Sequence, residues 1–254
     1  MSEKKISEIQ KEYKEMGLAD LPDFIEEYIN DGRPGVSKII NVAQKRMEKL
    51  RIEQERINKL KEFENKYWDT YDYIGGIDEV GRGPLAGPVV TACVILPKGC
   101  NILYINDSKK LSASKREELY DIIMDQAISV SIGVVSEERI DEINILQATY
   151  EAMRQAISEA KVEPQILLND AVTIPQVNIK QVPIIKGDAK SITIGAASII
   201  AKVTRDRMMV EYDSIYPEYH FASNKGYGSA EHIAALKEFG PCPIHRKSFI
   251  GNFV

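Results

Sequence analysis

Apolar positions recur with two different periods along the chain, and the change from one to the other falls near residue 70. Before it the period is helical. Ile6, Ile9, Tyr13 and Met16 share one face, and Gly17 acts as a stop. Asp20, Pro22 and Asp23 open a short helix that carries Phe24, Ile25, Tyr28 and Ile29. Asn30-Asp31-Gly32 ends it, and Arg33-Pro34-Gly35 reads as a turn. A long helix is expected from Ser37 to Tyr67. Its near-heptad stripe is Ile40, Ala43, Met47, Leu50, Ile57 and Leu60, interrupted at Gln54.

From Tyr71 onward strand-like and helical runs take turns. Ile74 to Glu79 and Val89 to Leu96 read as two strands joined by a glycine-rich turn and able to pair antiparallel. Ser112 is an N-cap for a helix through Gln126, and Ile128 to Val135 alternates as a strand. Ser136 caps a short helical piece, and Asn144 opens a longer one to Ala160. Gln165 to Asp170 and Gln181 to Ile185 are short strands. Lys190 to Tyr216 is mostly helical, and Ser229 starts a last helix that stops at Gly240. This alternation predicts an α/β domain with a mixed sheet flanked by helices, preceded by a helical N-terminal extension. The expected boundaries are 1–70 for the extension and 71–254 for the domain.

Chemistry concentrates between Ile74 and Val90. Asp78 and Glu79 follow an apolar lead-in, and Gly81-Arg82-Gly83 comes directly after them. An acidic pair at a strand end is a cation site, and a Gly-X-Gly turn opens backbone N–H groups to a ligand. Gly81 to Ala86 also fits the dinucleotide fingerprint, which requires a helix to follow. Here the β-branched run from Pro88 to Pro97 predicts a strand, which argues against that use. Two more acids, Asp170 and Asp188, stand near the ends of apolar runs. Four clustered carboxylates repel one another unless a cation intervenes, and hard oxygen ligands suit Mg²⁺ or Mn²⁺. Such a site serves phosphodiester hydrolysis. Candidate phosphate-binding cations are Arg82, Lys109, Lys190, Lys202 and Lys225, with Asn106, Ser108 and Ser191 as neutral donors. His220, His232 and His245 read as structural.

Composition adjusts this picture only slightly. Apolar residues at 44% and charged residues at 28% of 254 describe a globular protein. No apolar stretch of about 18 residues occurs, so no transmembrane helix is expected, and the charged start lacks a signal-peptide core. Three cysteines, Cys93, Cys100 and Cys242, are without metal-type spacing and fit a reducing cytoplasm. The net charge of −5 argues against a non-specific nucleic-acid binder without excluding a nuclease. Charge is uneven in the extension: residues 1–32 carry −5 and residues 36–66 carry +4. The basic helix is either a solvated face with its charges paired or a contact for a nucleic-acid backbone.

Six motifs in order carry a family resemblance: GIDEVGRGPLAGPVV at 76–90, NDSKKLS at 106–112, LLNDA at 167–171, KGDAKSITIGAASIIAKVTRD at 186–206, NKGYGS at 224–229 and PIHRKSF at 243–249. Over residues 71–253 the sequence resembles bacterial ribonuclease HII. The resemblance implies a ribonuclease H-like fold and metal-dependent cleavage of RNA in RNA–DNA hybrids. It also implies incision 5′ of single ribonucleotides embedded in duplex DNA, as in ribonucleotide excision repair, leaving 3′-hydroxyl and 5′-phosphate ends. By the same resemblance Asp78, Glu79 and Asp170 are metal ligands for Mn²⁺ or Mg²⁺. Asp188 completes the catalytic set, holding a metal or supporting departure of the leaving group. Gly81, Arg82, Gly83 and Tyr227 read the ribonucleotide, where the 2′-hydroxyl distinguishes RNA from DNA. Asn106, Lys109, Lys190 and Ser191 complete the expected substrate contacts. The implied partners are RNA–DNA hybrid and ribonucleotide-containing duplex, the implied state a cytoplasmic monomer without membrane contact. The family often has an apolar residue where Asn169 stands. The alternatives are a ribonuclease HIII-like enzyme, expected to carry a sheet-containing N-terminal domain, and an inactive nucleic-acid-binding module.

Overall fold

The computed structural model describes residues 4–253. The first three residues of the N-terminal run and residue 254, the end of the expected 71–254 domain, lie outside the described residues. The chain divides into two compact units, residues 1–58 and residues 59–254.

The first unit is helical. It contains α1 (Ile6–Glu15), α2 (Leu21–Tyr28) and most of α3 (Pro34–Leu60). Its core is Ile9, Leu21, Phe24, Ile25, Tyr28, Val36, Ile39, Ile40 and Ala43. Leu21, Val36 and Ile39 add to the apolar faces read from the sequence, while Ile6 and Ile29 of those faces are exposed. Two further expectations are corrected here. Pro34 is not in a turn before the helix but opens α3, where its missing N–H costs nothing. Met47 belongs to the predicted stripe yet is 39% exposed, although Leu50 beyond it packs against the core. Several charges along α3 pair within the helix. Arg51 binds Glu48 and Glu55, and Arg56 binds Glu53.

The second unit opens with α4 (Glu62–Tyr67). The expected single helix to Tyr67 is broken at Lys61, whose backbone (φ −92°, ψ 4°) is not helical. There follow β1 (Ile74–Val80), β2 (Val89–Ile95), a 3₁₀ turn at Ser108–Lys110, α5 (Ala113–Gln126), β3 (Ser129–Val135) and α6 (Glu137–Ser158). Then come β4 (Ile166–Asp170), β5 (Lys180–Ile184), a second 3₁₀ turn at Gly187–Ala189, α7 (Ile192–Ile215), α8 (Phe221–Asn224), α9 (Ala230–Phe239) and α10 (Lys247–Ile250). The helix from Ser229 is therefore not the last. The expected serines cap their helices: Ser112, Ser136 and Ser229 each accept a backbone N–H from the first turn. Asn144 breaks α6 (φ 66°) and caps its second half through Leu146 N and Gln147 N, as the sequence indicates.

The five strands form one mixed sheet in the order β3-β2-β1-β4-β5. β1 pairs antiparallel with β2 and β2 with β3, while β1, β4 and β5 run parallel. Alternation along β1 assigns the two faces. Ile77 packs with Met153 and Ala156 of α6, and Gly76 faces α7. A Cβ at Gly76 would lie 2.2 Å from the carbonyl carbon of Thr193, so only glycine lets α7 begin directly on the sheet.

Candidate active site

Parallel pairing sets the site. The β1–β4 register places Ile77 beside Asn169, so Asp78 and Asp170 end neighbouring strands. The β4–β5 register places Asp170 beside Ile184, and Asp188 lies in the 3₁₀ turn just beyond β5. The acids thus gather at the carboxyl ends of three parallel strands, where open α/β sheets bind ligands. Pleating sends Asp78 and Glu79 to opposite faces, and both reach the cleft because the strand ends there. A cleft of about 490 Å³ is lined by Asp78, Glu79, Asp170 and Asp188 together with Ser108, Lys109, Arg116, Ser198, Lys202 and Tyr227.

The carboxylates are held in a costly arrangement. Asp78 is 8% exposed. Burial and then the Glu79 charge raise its pKa well above the ordinary carboxylate range, against the opposing hydrogen bond from Ser198. Glu79 is raised by burial and by Asp170, while Arg82, at 3.2 Å, works the other way. Asp188 is raised by burial and by Asp107 and Asp170. Asp170 Oδ1 accepts Gly187 N at 2.7 Å, which ties the end of β4 to the turn carrying Asp188. Asn169 is fully buried and donates to Gln181 Oε1 at 2.8 Å and to Val172 O at 3.2 Å, so the polar residue before Asp170 is held by a side-chain partner on β5.

Among the described residues no three Asp, Glu, His or Cys side chains already stand in a metal-ligating arrangement. The chemistry of the donors nonetheless fits a divalent cation. Four acids share one cleft, burial and neighbouring carboxylates oppose the charges of Asp78, Glu79 and Asp188, and Glu79 Oε2 is buried without a hydrogen-bond partner. A cation offsets that repulsion and satisfies the orphaned oxygen.

A second cleft, of about 520 Å³, adjoins the first and shares Glu79, Val80, Lys109 and Tyr227 with it; Gly81, Arg82 and Gly83 form its wall. Gly81 takes φ +94°, and a Cβ there would meet Arg205 Nε at 2.4 Å. Tyr227 is 41% exposed. Its ring stands beside Gly83, where a Cβ would lie 3.9 Å from Tyr227 Cε1.

Other expected contacts are placed differently. Ser191 does not face either cleft. It is fully buried, accepts Ile194 N as the N-cap of α7 and donates to Glu64 Oε1 at 2.5 Å. Its hydroxyl, expected as a substrate donor, is engaged inside the fold. Lys190 is exposed and lies outside both cleft linings. Asn106 likewise lines neither, and its side chain accepts the backbone N–H of Asp107. Lys225 turns inward to the carbonyl of Ala222. Lys202 remains at the cleft but pairs with Asp206 at 2.6 Å.

Sequence reasoning missed Arg116 and Ser198. Ser198, Lys202 and Asp206 fall at i, i+4 and i+8 on α7, a polar stripe in an apolar helix that marks the face toward the acids. Arg116 has no such signal; it donates to the carbonyls of Ser108 and Leu111 and stands 3.7 Å from Asp206. The cysteines are free, and burial pushes the thiols up, Cys93 to about 12 and Cys100 and Cys242 to about 11.

Comparison with known proteins gives a consistent picture. The family model described as Ribonuclease HII matches residues 75–252, and the one described as Ribonuclease HII N-terminal domain matches residues 5–68. A relative in Lachnoclostridium phytofermentans named Ribonuclease HII is 64% identical over 248 residues, covering 98% of this chain and 97% of that protein. Another of that name, in Clostridioides difficile, is 49% identical over 255 residues and covers 100% of both chains. Among solved structures, ribonuclease H2 from Pyrococcus horikoshii OT3 superposes with a TM-score of 0.57 at 28% identity, covering 69% of this chain and 93% of that one.

Proposed function

The chain belongs to the ribonuclease HII family, and from its membership of that endoribonuclease H family we propose that it is a metal-dependent nuclease for RNA in RNA–DNA hybrids that also incises 5′ of a single ribonucleotide in duplex DNA. The products carry 3′-hydroxyl and 5′-phosphate ends. One observation carries the reading. Four acids from the carboxyl ends of three parallel strands line a cleft that adjoins a second one, walled by Gly81–Gly83 and Tyr227. The first is suited to a cation and a phosphate, the second to a sugar.

In this reading residues 71–254 carry catalysis. Asp78, Glu79 and Asp170 hold divalent cations, Mn²⁺ or Mg²⁺, with Asp188 beside them. The chemistry supplied by the bound cations is neutralisation of phosphate charge and acidification of the attacking water. The protein's own groups position the substrate. Ser198 orients the Asp78 carboxylate, and the Gly187 amide orients Asp170. Arg82, held against Glu79 in the free protein, is free to turn toward a phosphate once Glu79 faces a cation. Lys109 stands in both clefts and supplies positive charge at the scissile position. The open backbone of the glycine turn approaches the 2′-hydroxyl, and the Tyr227 ring packs on the neighbouring sugar. His232 and His245 take no part in proton transfer, since both are buried and paired to each other.

The test is a DNA duplex containing one ribonucleotide, incubated with Mn²⁺ or Mg²⁺ and with EDTA as control. A metal-dependent nick on the 5′ side, with 3′-hydroxyl ends that a polymerase can extend, is the expected result. Asp78→Asn is expected to abolish the nick while duplex affinity survives. Unchanged cleavage by that variant would remove the acids from the mechanism. Absence of any cleavage by folded protein would favour the binding-module alternative. The ribonuclease HIII alternative finds helices α1 to α3 where it expects a sheet.

A further inference from the structure

Tyr227 and the Gly81–Gly83 turn come from distant parts of the chain, and their relative placement decides whether they can act on one sugar. The structure ties both to a single short segment, Cys242–Arg246. Two sets of hydrogen bonds do this, one through a pair of buried histidines and one through a buried arginine.

The histidine path has a direction that can be derived from either end. At one end the Tyr227 carbonyl can only accept, so His232 Nδ1, 2.9 Å away, carries a proton. A neutral His232 then has a bare Nε2, which accepts from His245 Nε2 at 2.9 Å. His245 Nδ1 is consequently bare. At the other end the Cys242 amide can only donate, and it reaches that same nitrogen at 3.0 Å. The Cys242 carbonyl lies farther from that nitrogen, at 3.3 Å, and already accepts the His245 backbone N–H, so the shorter contacts at the two ends select the same pair of tautomers. A proton added to His232 would set two N–H groups against each other across the central contact, and one added to His245 Nδ1 would face the Cys242 amide N–H. Burial lowers both pKa values, that of His245 to about 4, in keeping with a neutral pair. Tyr219 and Phe221 wall the pair in, with Tyr219–His245 centroids 4.8 Å apart and Phe221–His232 centroids 5.3 Å apart.

The next residue holds the other half. Arg246 is fully buried, and its guanidinium donates to Gly81 O at 2.5 Å, Arg82 O at 3.1 Å and Gly87 O at 2.7 Å. Its backbone N–H donates to Leu85 O at 2.9 Å, and Leu85 N in turn donates to Gly226 O, the residue before Tyr227. The planar five-donor fork of arginine is suited to gathering several carbonyls at once.

We propose that His245, acting through His232, and Arg246 are positioning residues that set the Tyr227 side and the Gly81–Gly83 side of the ribonucleotide reader in register with each other. This deepens the function proposed above and rests on Tyr227 having its role there. The segment acts on discrimination of the ribonucleotide, not on the metal-binding acids, none of which it touches in the contacts described.

The experiment compares kcat/KM on a duplex with one ribonucleotide and on a long RNA–DNA hybrid. His245→Asn keeps an acceptor for the Cys242 amide but is too short to donate to His232. His245→Gln places a donor amide near the lost Nε2. The single-ribonucleotide to hybrid ratio is expected to fall about tenfold in His245→Asn, the order of loss that slight misplacement of a positioned group brings. It is expected to stay near wild type in His245→Gln. In a Tyr227→Ala background His245→Asn is expected to lower the ratio no further, since the two act as one unit. Equal loss on both substrates, or full additivity with Tyr227→Ala, would overturn the proposal. Long-range ¹H–¹⁵N spectra of the wild-type protein provide a readout without activity or mutation. His232 is expected as the Nδ1–H tautomer and His245 as the Nε2–H tautomer at neutral pH, and any other assignment overturns the relay. Wild-type protein that cuts hybrid but never the single-ribonucleotide duplex would instead overturn the role of Tyr227, a result distinct from either of these.

Discussion

Asp78 and Gly76 sit two positions apart on the same face of β1 and meet opposite constraints. Asp78 carries a charge that burial and Glu79 disfavour. With its pKa raised on folding, its ionised form costs stability at neutral pH, and that cost vanishes as pH falls below the ordinary carboxylate range. Asp78→Asn is therefore expected to raise the Tm of metal-free protein at pH 7 by a few degrees, about 1 kcal/mol for a domain of this size. The gain should disappear near pH 4, and Mg²⁺ or Mn²⁺ should raise the Tm of wild type more than that of the variant. Thermal melts across pH with and without metal check all three. Gly76→Ala goes the other way. Its Cβ would strike the Thr193 carbonyl, and overpacking at backbone costs about 3 kcal/mol; urea unfolding measures it. Much of this was legible in the sequence, where an Asp-Glu pair and a Gly-X-Gly turn follow a strand-like run. Ser191 was not, because its burial depends on Glu64, more than a hundred positions earlier. The bonding of Arg205 and Arg246 to backbone carbonyls was equally hidden, since each reads as a surface charge.

At the level of elements, the start of α7 controls how the acids are presented. Glu64 on α4 is fully buried, and one of its oxygens accepts Ser191 Oγ, Thr193 N at 3.0 Å and Thr193 Oγ1 at 2.8 Å. It thereby closes the first turn of the helix whose Ser198 supports Asp78. Glu64→Ala leaves these donors buried without an acceptor and is expected to cost about 2 kcal/mol, more than an exposed cap would. Glu64→Gln retains the accepting oxygen and is expected to cost less than half as much. Denaturant melts of both variants test this, and equal losses would refute it. Helix and strand order could be read from periodicity, and Asn144 even betrayed the break inside α6. The break at Lys61 could not, because no glycine or proline marks it; it precedes Glu64, whose partners lie at the start of α7, far away in sequence.

At the level of the whole molecule, the two compact units meet within α3, between Asn58 and Lys59, twelve residues before the expected domain start at Tyr71. Truncation exposes the difference. A chain beginning at residue 59 keeps Glu64 and Trp68, and is expected to melt cooperatively. One beginning at residue 69 loses the cap on α7 and is expected to melt several degrees lower. If the basic part of α3 contacts duplex, the chain from residue 59 will also bind with a flatter salt dependence. Arg51 and Arg56 pair with glutamates on the same helix, so Lys38, Lys45, Arg46 and Lys49 are the cations expected to carry the change; titrations at several salt concentrations measure the slope. The parallel register of Ile74 with Ile166 carries a further consequence, for synthesis of the chain. The helical unit has its core complete once Leu50 has been made. The strand bearing Asp78 and Glu79 must wait for β4 to be inserted beside it, and for the turn bearing Asp188 after that. A nascent chain shorter than about 190 residues thus holds these acids apart, and nuclease activity arises only on a polypeptide that is nearly finished.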